Sequence, residues 1–119
     1  MTDAVSRLRP PGRVHVYLDG GAPVLFLEGE IDAAAVAAYE QSRHEDEGYT
    51  TLMASAQDTC TVDASAVTFL NSAGIALLVR HAHAVRAQGR RPVLRDPSRT
   101  ARRVLDLTGV SALFESAVE

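Results

Sequence analysis

Lysine is missing altogether, for all twelve cationic side chains of this 119-residue chain are arginine. That excludes Schiff-base catalysis by a side chain of its own. Cysteine is nearly missing. Cys60 stands alone, so no internal disulfide can form, and a reducing compartment is expected. Positive charge is also in deficit: the formal net charge of −3 argues against non-specific nucleic-acid binding, which needs a basic surface. No apolar run approaches the roughly 20 residues of a membrane span, and the N-terminus lacks the apolar core of a signal peptide. The expectation is a cytoplasmic protein. Internal repeats, low-complexity tracts and glycine-rich phosphate loops are absent as well; Gly20-Gly21 has no helix behind it.

What is present is an ordinary apolar share, 46%, in a chain long enough for one domain burying about two-thirds of its unfolded surface. Residues 1–12, ending in Pro10-Pro11-Gly12, have no period and read as a flexible tail. Val14, Val16 and Leu18 alternate with His15 and Tyr17, the pattern of a half-buried strand. Asp19-Gly20-Gly21 supplies the positive φ of a tight hairpin. Pro23 to Leu27 reads as a second strand buried on both faces. Asp32 is placed to cap an alanine-rich helix from about Ala33 to Arg43. Around Leu52 and Met53 an extra helical turn is expected. A third strand covers Cys60 to Asp63, and a long helix runs from Ser72 to about Gln88, closed by Gly89. Pro92 to Leu94 forms a fourth strand. Asp96-Pro97 reads as a cap with proline at the first helical position of a helix over Arg99 to Leu107. Val110, Leu113 and Phe114 make a final packing segment. The order β-β-α-β-α-β-α predicts an α/β fold, a mixed four- to five-stranded sheet with helices mainly on one face.

The segment Asp63-Ala-Ser-Ala-Val-Thr-Phe-Leu-Asn-Ser-Ala-Gly74 holds the candidate chemistry. Val67, Phe69 and Leu70 read as the apolar part of a buried strand, and Ser72 opens the long helix. Its hydroxyl can serve as an N-cap or as a chemical handle; spacing alone leaves both open. A hydrolase triad of Ser72, His81 or His83 and Asp63 fails on geometry. His81 is nine residues along the same helix, about 13 Å away at 1.5 Å per residue, and a general base must lie within hydrogen-bond reach. The nucleophile elbow also needs glycine two residues before the serine, where Leu70 stands. His81 and His83 point to different helix faces and make no metal pair. Asp63 reads as a structural acceptor that caps a strand end or takes backbone N–H groups in the turn. No enzyme, metal or cofactor is expected. If Ile75, Leu78, Val79 and Ala82 face the sheet, then Ala73, Ala76, Leu77 and Arg80 face outward beside Ser72 as a small docking patch.

Gly29-Glu-Ile-Asp32, then Asp63 through Ile75, then Val104-Leu-Asp-Leu-Thr-Gly-Val110 resemble the STAS domain, over about residues 13 to 115. More narrowly, the chain looks like the stand-alone bacterial anti-sigma-factor antagonists. The resemblance implies a STAS domain over residues 13–119 and a partner-switching role in transcription. An anti-sigma factor with serine kinase activity would phosphorylate Ser72, with Asn71, Ser72, Ala73, Ala76, Leu77 and Arg80 as its docking surface. The unphosphorylated protein would bind that factor and free a sigma factor, and a serine phosphatase would reset the switch. Two departures stand out. The family often has Asp where this chain has Asn71, which removes a charge next to the serine. About six extra residues fall near positions 45–57. The alternative from a different class is a non-phosphorylated scaffold or accessory subunit of a transporter or stressosome-like complex, with Ser72 only a cap.

Overall fold

A computed structural model of the chain describes residues 12–45 and 59–117. The expected tail over residues 1–12 and the expected turn near Leu52 lie outside these residues, save Gly12. The hairpin forms as the glycines demand. Strands β1 (Arg13–Asp19) and β2 (Ala22–Ile31) are joined by Gly20 and Gly21 at φ +61° and +87°, the left-handed pair a two-residue hairpin needs. Helix α1 (Ala33–Glu45) follows, two residues longer than expected. Asp32 caps it, Oδ1 accepting from the Ala35 N–H at 3.0 Å. Strand β3 (Thr61–Leu70), helix α2 (Ser72–Ala87), strand β4 (Val93–Arg95), helix α3 (Arg99–Thr108), a 3₁₀ turn (Val110–Leu113) and a short β5 (Glu115–Ser116) complete the chain.

The five strands lie in sequence order, β1 antiparallel to β2 and every later pair parallel. Successive side chains along a strand point to opposite faces, so register decides the core. Val14, Leu25, Leu27, Val62 and Leu94 share one face, where they pack with Val36 and Tyr39 of α1, Leu77, Leu78 and Ala82 of α2, and Ala101 and Leu105 of α3. All three helices therefore cover that face. The other face carries a small aromatic group instead: Phe26 has ring centroids 5.3 Å from His15 and 5.7 Å from Tyr17. Val24 is buried on it and Phe26 half-buried, so β2 is shielded on both faces, on the second by side chains of the sheet itself.

Two of the boundaries that differ from expectation have a local reason. Strand β3 continues past Asp63 to Leu70 because β2 runs beside it as far as Ile31. The cap of α3 is Ser98, not Asp96: Ser98 Oγ accepts from the Ala101 N–H (3.1 Å) and donates to the Val67 carbonyl (2.7 Å), tying the helix start to β3. Asp96 instead takes the strained φ of +45° in the preceding bend. Gly109 closes α3 at φ +79°. The segment expected to pack last does so, with Val110 and Phe114 buried.

Candidate functional site

The strand-to-helix junction is as short as it can be, for β3 ends at Leu70 and α2 begins at Ser72. Asn71 alone makes the turn. Its backbone N–H donates to the Ile31 carbonyl at the end of β2 (3.3 Å), and its carbonyl receives the first helical bond, from the Ile75 N–H (2.9 Å). Its side-chain Oδ1 accepts from the N–H groups of Ala73 (3.0 Å) and Gly74 (3.4 Å). Asn71 is therefore the N-cap, with extended backbone at φ −104°, as that role requires. Ser72 is not the cap. It occupies the first helical position and is exposed, and the orphan donors of the helix start are served by its neighbour's amide. Asn and Ser are both good caps, and here the residue one earlier takes the role.

Gly74 fixes how close the junction sits to the sheet. A Cβ there would lie 2.6 Å from Leu70 Cδ1, 2.8 Å from the Ile31 carbonyl oxygen and 2.9 Å from Ile31 Cγ2. Only a residue without a side chain lets the helix start press on β2. That contact also sets the rotation of α2, whose buried residues are Gly74, Leu77, Leu78, Ala82 and Val85. Leu77 thus faces the core and is 6% exposed. Its expected outward position is corrected. The buried stripe is centred on Gly74 rather than Ile75, which turns the helix so that Ile75 and Val79 are left half-buried.

The other expected docking residues do reach the surface. Ala73 and Ala76 are half-buried and Arg80 is exposed, its guanidinium bonded to Glu40 of α1 at 3.1 Å. Asn71, Ser72 and Ala73 are together at the turn, Ala76 one turn further, Arg80 about another. The result is a shallow surface of small side chains ending in an ion pair that joins α1 and α2. An exposed pair of this kind contributes little to stability.

Asp63 lies away from Ser72, within β3 and on the sheet face without helices, among partners that the sequence did not reveal. Its Oδ1 accepts from the Ser65 N–H (2.9 Å) and hydroxyl (2.7 Å), its Oδ2 from Arg95 Nη2 (3.0 Å) and Nε (3.2 Å). Arg95 also donates to Asp19 (2.8 Å) and to the Tyr17 hydroxyl (2.7 Å). One guanidinium thereby ties β4 to β3 and to β1, two strands further on. Burial pushes the Asp63 carboxyl up, but the Ser65 hydroxyl and N–H, with Arg95, outweigh it and hold it below its usual value. Asp19 and then Asp63 drive the Arg95 guanidinium still further toward its charged form. With both oxygens doubly engaged, Asp63 has no acceptor position free to move a proton. Its structural role stands, in the body of the sheet rather than at a strand end.

Among the described residues no three His, Cys, Asp or Glu side chains gather as metal ligands, and no helix is long and apolar enough to cross a membrane. A search of curated proteins finds no match. The model of the STAS domain family matches residues 13–118. Among solved structures, the anti-sigma factor antagonist SpoIIAA in its unphosphorylated form aligns with a TM-score of 0.60 at 23% identity, covering 89% of each chain. An anti-sigma factor antagonist from Mycobacterium paratuberculosis aligns at 0.62 and 23%, over 92% of this chain and 87% of the other. The Bacillus cell fate determinant SpoIIAA in its phosphorylated form aligns at 0.55 and 25%, over 89% and 92%.

Proposed function

The chain belongs to the STAS domain family, and from that premise we propose that it is an anti-sigma-factor antagonist switched by phosphorylation of Ser72. One observation carries the reading: Asn71 does the capping, so the exposed Ser72 hydroxyl is left to chemistry. The antagonists of similar fold, one of them solved in both unphosphorylated and phosphorylated forms, lend it support. The partner is an anti-sigma factor with serine kinase activity. Bound to the unphosphorylated domain, it releases its sigma factor, and a serine phosphatase restores the serine. The domain itself is a substrate and a binding module in the cytoplasm, not a catalyst.

The switch follows from where charge is added. A phosphate brings about −1.5 to −2 charges to Ser72. At a helix N-terminus an anion is favourable to the domain by about 0.3–1 kcal/mol, and the neutral amide of Asn71 adds no repulsion. The domain therefore stays folded. The effect falls on the partner, whose surface against Ala73 and Ala76 has to take in a bulky dianion. An unpaired charge in an interface costs several kcal/mol, enough to undo a micromolar complex. Ser72→Ala should keep partner binding and Ser72→Asp should weaken it, both with melting midpoints near that of the wild type. Calorimetric titration of the partner, beside thermal unfolding, checks this. A Ser72→Asp variant that loses about ten degrees of stability, more than 1 kcal/mol in a domain of this size, would place the effect on the fold and contradict a surface switch.

A further inference from the structure

With Leu77 turned into the core, the surface around Ser72 lacks a large apolar side chain on the helix side. One stands on the other side of the turn. Phe69 is 47% exposed, three residues before Ser72, and the other large exposed hydrophobics among the described residues, Leu18 and Leu107, lie on β1 and α3. Its exposure is built into the sheet. Between the pairs Gly29–Val67 and Glu30–Phe69, β3 advances two residues while β2 advances one, so Thr68 is an extra residue in the strand. Strict alternation from buried Val67 would put Phe69 inside and Leu70 outside. The bulge reverses this: Thr68 and Phe69 are exposed and Leu70 is buried. Bulges of this kind re-aim side chains and are common beside functional sites. Leu70 is needed inside, where it meets Gly74. Nothing in that need requires a phenylalanine at the position turned outward.

Resting on the reading of Ser72 as the switched serine, we propose that Phe69 is the apolar anchor of the same docking surface, a specificity-determining residue that seats in an apolar recess of the kinase partner. Continuity favours that occupant, because only Leu70 and Asn71 separate the exposed ring from the serine that the partner must reach. Aromatic side chains at the centre of a docking surface commonly carry much of its binding energy. The small side chains of Ala73 and Ala76 then let the partner close over the turn, and Phe69 decides which partner can do so.

The test titrates purified serine-kinase anti-sigma factors of the same genome, one at a time, into wild type, Phe69→Ala, Phe69→Leu and Ser72→Asp. Phe69→Ala should weaken binding at least about ten-fold while its melting midpoint stays within about 4 °C of wild type. Phe69→Leu should recover most of the affinity. If Phe69→Ala binds like wild type while Ser72→Asp still breaks the complex, the anchor is overturned and the switch stands. If Phe69→Ala weakens binding and Ser72→Asp does not, the anchor stands and the switch falls. Should sedimentation show a dimer that Phe69→Ala dissociates, with partner affinity unchanged, a second copy covers the ring and the proposal is wrong. A wild-type chain that binds none of these kinases overturns anchor and switch together.

Discussion

Asn71 takes the capping role that its neighbour Ser72 could have held. The amide oxygen of Asn71 satisfies the N–H groups of Ala73 and Gly74, and the Ser72 hydroxyl stays outside that arrangement. Removing the cap should therefore cost stability without touching the hydroxyl. Asn71→Ala is expected to destabilise the domain by about 1 kcal/mol. Asn71→Asp keeps the acceptor and adds a charge that the helix N-terminus favours, so it should be as stable as wild type or gain about 0.3–1 kcal/mol. Urea unfolding of the two variants checks both signs. A loss in Asn71→Asp as large as in Asn71→Ala would show that the carboxylate does not take over the cap. The sequence left the Ser72 hydroxyl open as cap or handle, because both neighbours are competent caps and composition cannot choose between them. Only the bond from Asn71 to Ile31, which ends the strand there, makes the choice.

At the scale of elements, the sheet is held on its uncovered face by a polar clamp rather than by a second layer of helices. Arg95 reaches from β4 to Asp63 on β3 and to Tyr17 and Asp19 on β1. Because Ser65 and Arg95 outweigh burial and hold the Asp63 carboxyl below its usual value of about 3.8, its deprotonated form is favoured in the folded state. Its contribution is therefore complete above that value and is lost as pH falls through the lower, folded-state one. Asp63→Asn should lower stability at neutral pH by about 1–3 kcal/mol. The gap from wild type should stay constant down to about pH 5 and close below about pH 4. Chemical denaturation across that range measures it. A gap that persists unchanged into strong acid would remove the carboxylate from the clamp. The periodicity of β1, the glycine pair of the hairpin and the stop at Gly89 were all legible, since each depends on neighbours in sequence. The clamp was not, because Arg95 and Asp63 are 32 positions apart and meet only through the β3–β4 register. The outward turn of Phe69 was hidden for the same reason. A bulge is a property of two strands, and β3 alone reads as a buried run.

For the whole molecule, the order of elements in the sequence already implied the mixed sheet with helices on one face, and the family resemblance over residues 13–115 agrees with the family match over 13–118. The rotation of α2 did not follow from it, because Gly74 sets that angle against Ile31 and a pattern of apolar residues does not register an absent side chain. With the rotation known, the candidate site is a turn with an exposed serine that does not cap, two alanines behind it and an exposed ring before it, on a domain that a phosphate should leave folded. The central claim is that the Ser72 hydroxyl accepts a phosphate from a partner kinase. Intact-mass measurement of the chain after incubation with ATP and each serine-kinase anti-sigma factor of the same genome tests it most directly. The wild type should gain one phosphate with its partner, and Ser72→Ala should gain none. A wild-type chain that stays unmodified with every such kinase, or a Ser72→Ala chain that still gains the phosphate, would contradict the account.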